Sequence, residues 1–400
     1  MAEADRVIVA GAGPVGMTAA AFLAMHDIPV LVLEAGDDLA TDLRASTWHP
    51  PTLDLLDFFE GIVGELADWG LIALTWQYRD RETGPVVTWD MSLLKDDTGH
   101  PYRIQTEQWK LTRLLHRRMA GVPHFDLRFG HEVTGAGQDG NRAWVTADTA
   151  EGLEKFDGRW VIAGDGANSA VRRSLGIAYD GLTFPELFLT LSTSFEFRGP
   201  MPDLTPVNYF ADPQEWLVLL RVVDAWRVLF PTGPDEEIED ALSDGRVQER
   251  LDGVAPGCGS FDVVHKTHYR VHQRVADKYR IGRILLAGDA AHINNPLGGM
   301  GMNGGIQDAF SLCEKLVAVW RGEAEPSVLD RYERQRRKMA LDFVQQSTIR
   351  NRETLMETDP DLRRQRHDEM RRIADDPVQA RDFLLRSSMI AGLRESEAIP

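Results

Sequence analysis

Apolar positions along the chain follow two rhythms. Short solid runs at Val7–Ala10, Val30–Leu33, Trp160–Ala163 and Ile284–Ala287 predict buried strands. The first two flank the turn Gly11-Ala12-Gly13-Pro14-Val15-Gly16 and an alanine-rich stretch, Met17–Met25, that predicts a helix. The chain therefore opens with a βαβ unit and a parallel sheet. Elsewhere apolar and polar residues alternate. Thr75–Arg79 and Val86–Asp90 (separated by Gly84-Pro85), Val133 with Trp144–Thr146, Leu189–Phe197, Val207–Phe210, Trp216–Val222, Trp226–Phe230 and Phe261–Tyr269 predict antiparallel strands. A helix is predicted over Gln108–Met119, and everything after Asn303 reads as helical. Within that region Val378–Leu393 is amphipathic, with Phe383, Leu384 and Met389 on its apolar side, suited to packing on its own domain or to a dimer contact.

The two rhythms interleave, which predicts an α/β fold: a Rossmann-like nucleotide domain of the GxGxxG type, an interleaved antiparallel substrate domain and a helical C-terminal region. The expected segments are 1–72, 101–180 and 273–340 for the first, 73–100 and 181–272 for the second, and 341–400 for the last. Lys and Arg number 44 against 62 Asp and Glu, a formal net charge of −18, so nucleic acid and anionic membranes are poor partners. Cys258 and Cys313 are the only cysteines, which excludes a disulfide framework and fits a reducing cytoplasm. No apolar run approaches the roughly 20 residues a bilayer requires, and no targeting segment is expected.

Three glycine-rich turns carry the chemistry. In the first, Gly11 permits the tight turn, Gly13 lets a pyrophosphate approach the backbone, and Gly16 lets helix and strand pack closely. Pro14 suits a first helical position, and the free amides there attract phosphate. Glu34, at the next strand end, is placed for a ribose. The second turn is Gly164-Asp165-Gly166-Ala167-Asn168-Ser169-Ala170-Val171-Arg172. The third begins Gly288-Asp289-Ala290-Ala291-His292 and continues through Pro296 to Gly298-Gly299-Met300-Gly301-Met302-Asn303. An Asp at a strand end suits a ribityl hydroxyl, and glycine amides at a helix start suit an anionic ring edge.

With these motifs in this order, the chain resembles the group A flavoprotein aromatic hydroxylases, the para-hydroxybenzoate hydroxylase fold, from its first residues to about Ala340. The resemblance implies FAD held by Gly11, Gly13, Pro14, Val15 and Gly16, with Glu34 at the adenosine ribose and Ala35 and Val133 among the cofactor positions. It puts Arg44 at flavin and pyrophosphate, Gln105 before the next helix, Asp165 between FAD and NAD(P)H, and Asp289 on FAD. Pro296 falls near the reactive flavin carbon, and Gly299, Gly301, Met302 and Asn303 at the ring edge. The chain departs from many relatives in Ala45–Pro51, where they carry a Pro-Arg pair, and this leaves the role of His49 open. The thioredoxin-like domain of the longer phenol hydroxylases is not expected.

The implied chemistry is NADH or NADPH reducing FAD, addition of O2 to give a flavin hydroperoxide, and transfer of one oxygen to a small phenolic or pyridinolic ring. Pro296, His49, Arg221 and Tyr209 are the candidates at the reaction. Tyr209, Trp216, Val218, Arg221, Trp226 and Arg227 read more readily as sheet packing or surface than as substrate contacts, although either arginine suits a substrate carboxylate. No metal is expected: His265, His268 and His272 have no Cys or acid to complete a site. Cys313 reads as core. A halogenase or reductase of the same fold, an NAD dehydrogenase and a non-catalytic FAD-binding protein remain alternatives. The protein is expected to be a cytoplasmic monomer or homodimer.

Overall fold

The computed structural model describes residues 5–41, 43, 45–233 and 236–400, with backbone alone at Pro185 and Glu186. Its first layer is a six-stranded sheet in the order Arg280–Ile281, Ile284–Leu286, Trp160–Ala163, Val7–Ala10, Val30–Leu33, Phe125–Arg128. All pairs are parallel except the first, a hairpin. The inner strands are buried along their whole length, as a sheet covered on both faces requires. The covers are helices Pro14–Met25, Gln108–Met119 and Met300–Trp320, and a three-stranded antiparallel sheet, Glu132–Asp139, Arg142–Thr149 and Gly152–Gly158. The last of those strands is absent from the sequence reading, because its charged residues and terminal glycines hide the alternation that buries Phe156.

The second large sheet has eight strands from distant parts of the chain: His292–Ile293, Val263–Ala276, Tyr179–Thr193, Trp226–Pro231, Leu217–Arg221, Val207–Ala211, Thr75–Asp80 and Gly84–Asp90. Only Val207–Ala211 and Thr75–Asp80 run parallel. The strand expected at Leu189–Phe197 starts earlier, at Tyr179, and stops at Thr193. There the Thr193 hydroxyl donates to the Asp262 carbonyl (2.6 Å) and accepts the Phe195 amide (3.1 Å), turning the chain out of the sheet. The strand expected at Phe261–Tyr269 begins instead at Val263 and runs on to Ala276.

Each face of this sheet has its own core. One holds Leu189, Leu217, Leu219, Trp226 and Phe230 under helix Asp244–Val254. The other holds Trp76, Trp89, Tyr209, Val218 and Leu297, and it is covered by the C-terminal helices. In that cover Phe383, on helix Pro377–Ser387, stacks on Trp89 with ring centroids 4.0 Å apart, and Arg381 grips Asp97 through two 2.8 Å bonds. The amphipathic C-terminal stretch thus packs on the eight-stranded sheet. A small third sheet, Thr47–Trp48, Arg103–Gln105 and Leu71–Ala73, joins the two domains. Among the described residues, no helix is long and apolar enough to cross a membrane.

Candidate active site

The first glycine turn is built by steric necessity. Gly11 has φ +91°, and a Cβ there would lie 2.7 Å from the Gly164 carbonyl oxygen. A Cβ on Gly16 would lie 2.0 Å from the Gly11 oxygen, so the turn can close against its helix only with glycine. Gly13 has nothing within 4 Å of its would-be Cβ, and as N-cap of the helix begun by Pro14 it has no side-chain partner. Its free amides open toward space. Val15 packs the turn against Gly288 and Gly305. The Glu34 carboxylate accepts the amides of Ala12 (2.6 Å) and Gly36 (3.1 Å), which splints the turn, with Ala35 exposed beside it. Val133 lies on the neighbouring small sheet, paired with Ala147 and packed against the core. Arg44 lies outside the described residues.

The second and third turns are clamped together. Arg172 donates to the carbonyls of Ala167 (2.7 Å) and Ala290 (2.9 Å), with its guanidinium carbon 3.8 Å from the Tyr179 ring centroid. The Tyr179 hydroxyl donates to the Asp289 carbonyl at 2.8 Å. The Asp289 side chain is exposed at its strand end. Asp165 accepts the Val171 amide through one oxygen, while its other oxygen is buried without a partner. Burial pushes this carboxyl above its usual range, against the pull of Ser169 and Val171. Beneath the third turn, Asp308 accepts from His292 (2.7 Å), Arg336 (2.6 Å) and the Gly288 amide (3.0 Å). Burial alone would raise its pKa, but His292 and Arg336 hold it below the usual carboxylate value.

The small joining sheet aims four side chains one way. Thr47 pairs with Gln105 and Trp48 with Ile104, so Thr47, His49, Arg103 and Gln105 share one face while Trp48 and Ile104 enter the core. Thr47 donates to the Gln105 carbonyl at 3.0 Å, and the Gln105 amide nitrogen is buried without a partner. His49 is fully buried, and its Nε2 meets the Gly298 carbonyl at 2.7 Å. That bond fixes Nε2 as the protonated nitrogen and leaves Nδ1 a bare acceptor. Burial first, and the Arg103 charge second, push the imidazole pKa down to about 3, so the ring is neutral. Opposite stands the loop at Pro296. The Pro296 carbonyl accepts the Gly299 amide (2.9 Å), and Gly299, at φ +67°, starts the helix carrying Gly301 and the buried Met302 without a side-chain cap. The Asn303 side chain is spent on this junction: it accepts the His49 amide (2.9 Å) and donates to the carbonyls of Thr47 (2.8 Å) and Gly299 (2.7 Å).

Tyr209 is brought to the site, its ring 5.7 Å from that of Trp76, which also lies 6.0 Å from Phe383. Arg221 is not. Tyr209 pairs directly with Val218, so Arg221 falls on the opposite face of the sheet, where it lies 3.7 Å from Glu196. Arg227, opposite Leu220 and so on the same face as Tyr209, is held by Glu107 at 3.1 Å. The cation at the site is Arg103, and the aromatic walls are Trp76 and Phe383. Sequence reasoning missed all three, although the alternation Arg103-Ile104-Gln105 puts Arg103 on the face of Gln105. Of the three histidines near residue 268, His272 bonds Thr183 (2.8 Å), and no metal-type group forms around them among the described residues. A hollow of about 1110 Å³ lined by Arg81, Glu215, Glu236, Arg250 and Met356 lies at the other end of the Thr75–Asp80 strand, its charges paired with one another.

These groups fit FAD: uncapped helix starts at Gly13 and Gly299, an unpartnered buried acceptor on Asp165, an unpartnered buried donor on Gln105, and Asp289 exposed at a strand end. Comparison with known proteins agrees. A family model described as an FAD binding domain matches residues 4–347. Para-nitrophenol 4-monooxygenase of Pseudomonas sp. (strain WBC-3) is 34% identical over 99% of this chain and 98% of its own. A 6-hydroxy-3-succinoylpyridine 3-monooxygenase of Pseudomonas putida (strain DSM 28022 / S16) is 32% identical over 86% of this chain and 87% of its own. The crystal structure of p-nitrophenol 4-monooxygenase from Pseudomonas putida DLL-E4 superposes with a TM-score of 0.91 at 30% identity, covering 98% of both chains. The chain belongs to this FAD-binding-domain family and is a flavin-dependent aromatic monooxygenase that draws its electrons from NAD(P)H.

Proposed function

We propose that the substrate is a small single-ring phenol or hydroxypyridine, with O2 as co-substrate. The observation that carries this reading is the group of aromatic faces, Trp76, Tyr209 and Phe383, gathered beside the Pro296–Asn303 loop. Such faces take a flat ring, and edge or offset contacts orient it. The names of two relatives, one for para-nitrophenol and one for a hydroxypyridine, point to the same substrate size.

FAD, when bound, supplies the redox chemistry and the activation of oxygen. The chain supplies the frame. The amides at Gly13 and Gly299 hold anionic parts of the cofactor, Gln105, Asp165, Asp289 and Glu34 fix its orientation, and Pro296 sets the approach to its ring. His49 ties the loop through Gly298 and keeps Nδ1 as an acceptor for an N–H or O–H at the ring edge. The buried apolar walls exclude water from the reacting atoms. Segments 73–100 and 181–272 serve as the substrate domain in this reading, and the free cysteines suit a reducing cytoplasm.

The test is to follow NAD(P)H and O2 consumption by the yellow holoenzyme over single-ring phenols, hydroxypyridines and polycyclic phenols, and to weigh the products. A single-ring compound that speeds oxidation and gains one oxygen supports the reading. Turnover restricted to polycyclic rings would overturn it.

A further inference from the structure

Arg103 is a buried cation that no carboxylate among the described residues neutralises. It is 2% exposed and sits on the central strand of the joining sheet. Its guanidinium carbon lies 5.0 Å from the centroid of the Trp76 ring, and the neighbouring Tyr209 side chain favours its charged form. Its Nε and Nη1 have no partner, and among the described residues no carboxylate forms an ion pair with it. Guanidinium does not give up its proton in proteins, so the charge persists. An unpaired buried ion costs more than stacking on an aromatic face returns. Whatever binds here therefore brings the missing negative charge and acceptor atoms.

We propose that Arg103 is the specificity-determining residue for the substrate's charge: it pairs with an ionised oxygen on the aromatic ring, so the site selects phenolates over neutral rings. Nε–H and Nη1–H point to different edges of the planar guanidinium, so each is a separate open donor for an ionised oxygen. Trp76 and Tyr209 fix the fork, and Phe383 continues the ring wall. His49 adds to the selectivity by being neutral, because an imidazolium so close to Arg103 would be a second buried cation. The inference rests on the aromatic-hydroxylase reading of the site and adds the ionic form of its substrate.

The same anion chemistry could belong to the cofactor, and the experiment separates the two. Holoenzyme is titrated calorimetrically with a set of ring-substituted phenols of graded acidity and with their O-methyl ethers, over a range of pH. The wild-type protein is expected to bind each phenol at least about tenfold tighter than its ether, with affinity rising as pH passes the phenol's own pKa. In Arg103→Met the preference collapses toward one, and Arg103→Lys, which keeps charge but not the fork, falls between. FAD affinity and reduction potential are measured on the same samples. Wild-type affinity indifferent to ionisation would overturn the proposal, even if Arg103→Met fails to fold. A preference kept in Arg103→Met, or a variant that loses FAD or shifts its potential while keeping the phenol-to-ether ratio, would overturn it too. Failure of product formation with every ring tests the hydroxylase reading separately, since binding ratios are read without turnover.

Discussion

Arg336 and Arg103, both among the buried arginines, are treated oppositely. Arg336 faces Asp308 at 2.6 Å and bonds the Gly304 carbonyl at 3.1 Å, and the same aspartate holds His292 and the Gly288 amide. Arg103 has an aromatic face and a phenol side chain beside it but, among the described residues, no carboxylate. The first arrangement is matched inside the chain and holds the third glycine turn on its helix. The second is left open. The difference teaches that burial of charge does not itself mark a functional site; burial without an internal counter-charge does.

The comparison breaks most sharply at Asp308. Asp308→Ala strands both Arg336 and His292, and is expected to cost about 3–5 kcal/mol, with FAD released as the Gly288 turn loosens. Thermal unfolding of the holoenzyme measures it. A loss no larger than that of a surface substitution would show that the triad is not the internal match described here. Gly16→Ala comes next. Its Cβ must push the Gly11 carbonyl away, an overpacking cost of about 1–3 kcal/mol. The expected readout is FAD fluorescence appearing in the filtrate of a protein that remains folded.

Acid separates the two regions by pH. His49 is neutral in the fold and titrates near 6.5 when unfolded, so the unfolded chain binds more protons between those values. Its contribution is complete above about 6.5 and falls as pH drops toward 3. Asp308, held below its ordinary value, contributes fully above about 3.9 and is lost only below that. A His49→Leu variant should therefore lose stability less steeply between pH 6 and 4 than the wild-type protein, as read from melting temperature against pH. The smallest effect belongs to Arg221→Ala, which should change stability by no more than about 0.5 kcal/mol and leave the substrate KM unchanged. A raised KM would bring Arg221 back to the substrate.

How much the sequence discloses follows the same division. The glycine turns are legible because their demands are local: Gly11 and Gly16 meet each other, and the strand before and helix after are contiguous with them. Arg103 is not legible, because its meaning comes from Trp76 and Tyr209, which arrive on other strands from other segments. Arg221 shows how the reading fails. Leu220 and Arg221 are neighbours in sequence on opposite faces of a sheet, and only the pairing of Tyr209 with Val218 decides which one faces the ring. The resemblance places Asn303 in the ring-edge segment, but its bonds across the His49 segment appear only once the helix start meets that segment. Phe383 had an amphipathic helix to announce it, with nothing to say which sheet the helix covers.

The clasp between Arg381 and Asp97 joins positions 284 residues apart. On the ribosome, the turns that bind cofactor and the sheet that faces the ring are all made before Phe383 reaches them. A nascent chain at that stage, or one clipped before Pro377, has the parts to take up FAD and to react with oxygen but lacks one wall of its pocket. In such a chain the rings of Trp76 and Trp89 would stand bare on the face that Phe383 covers in the finished fold.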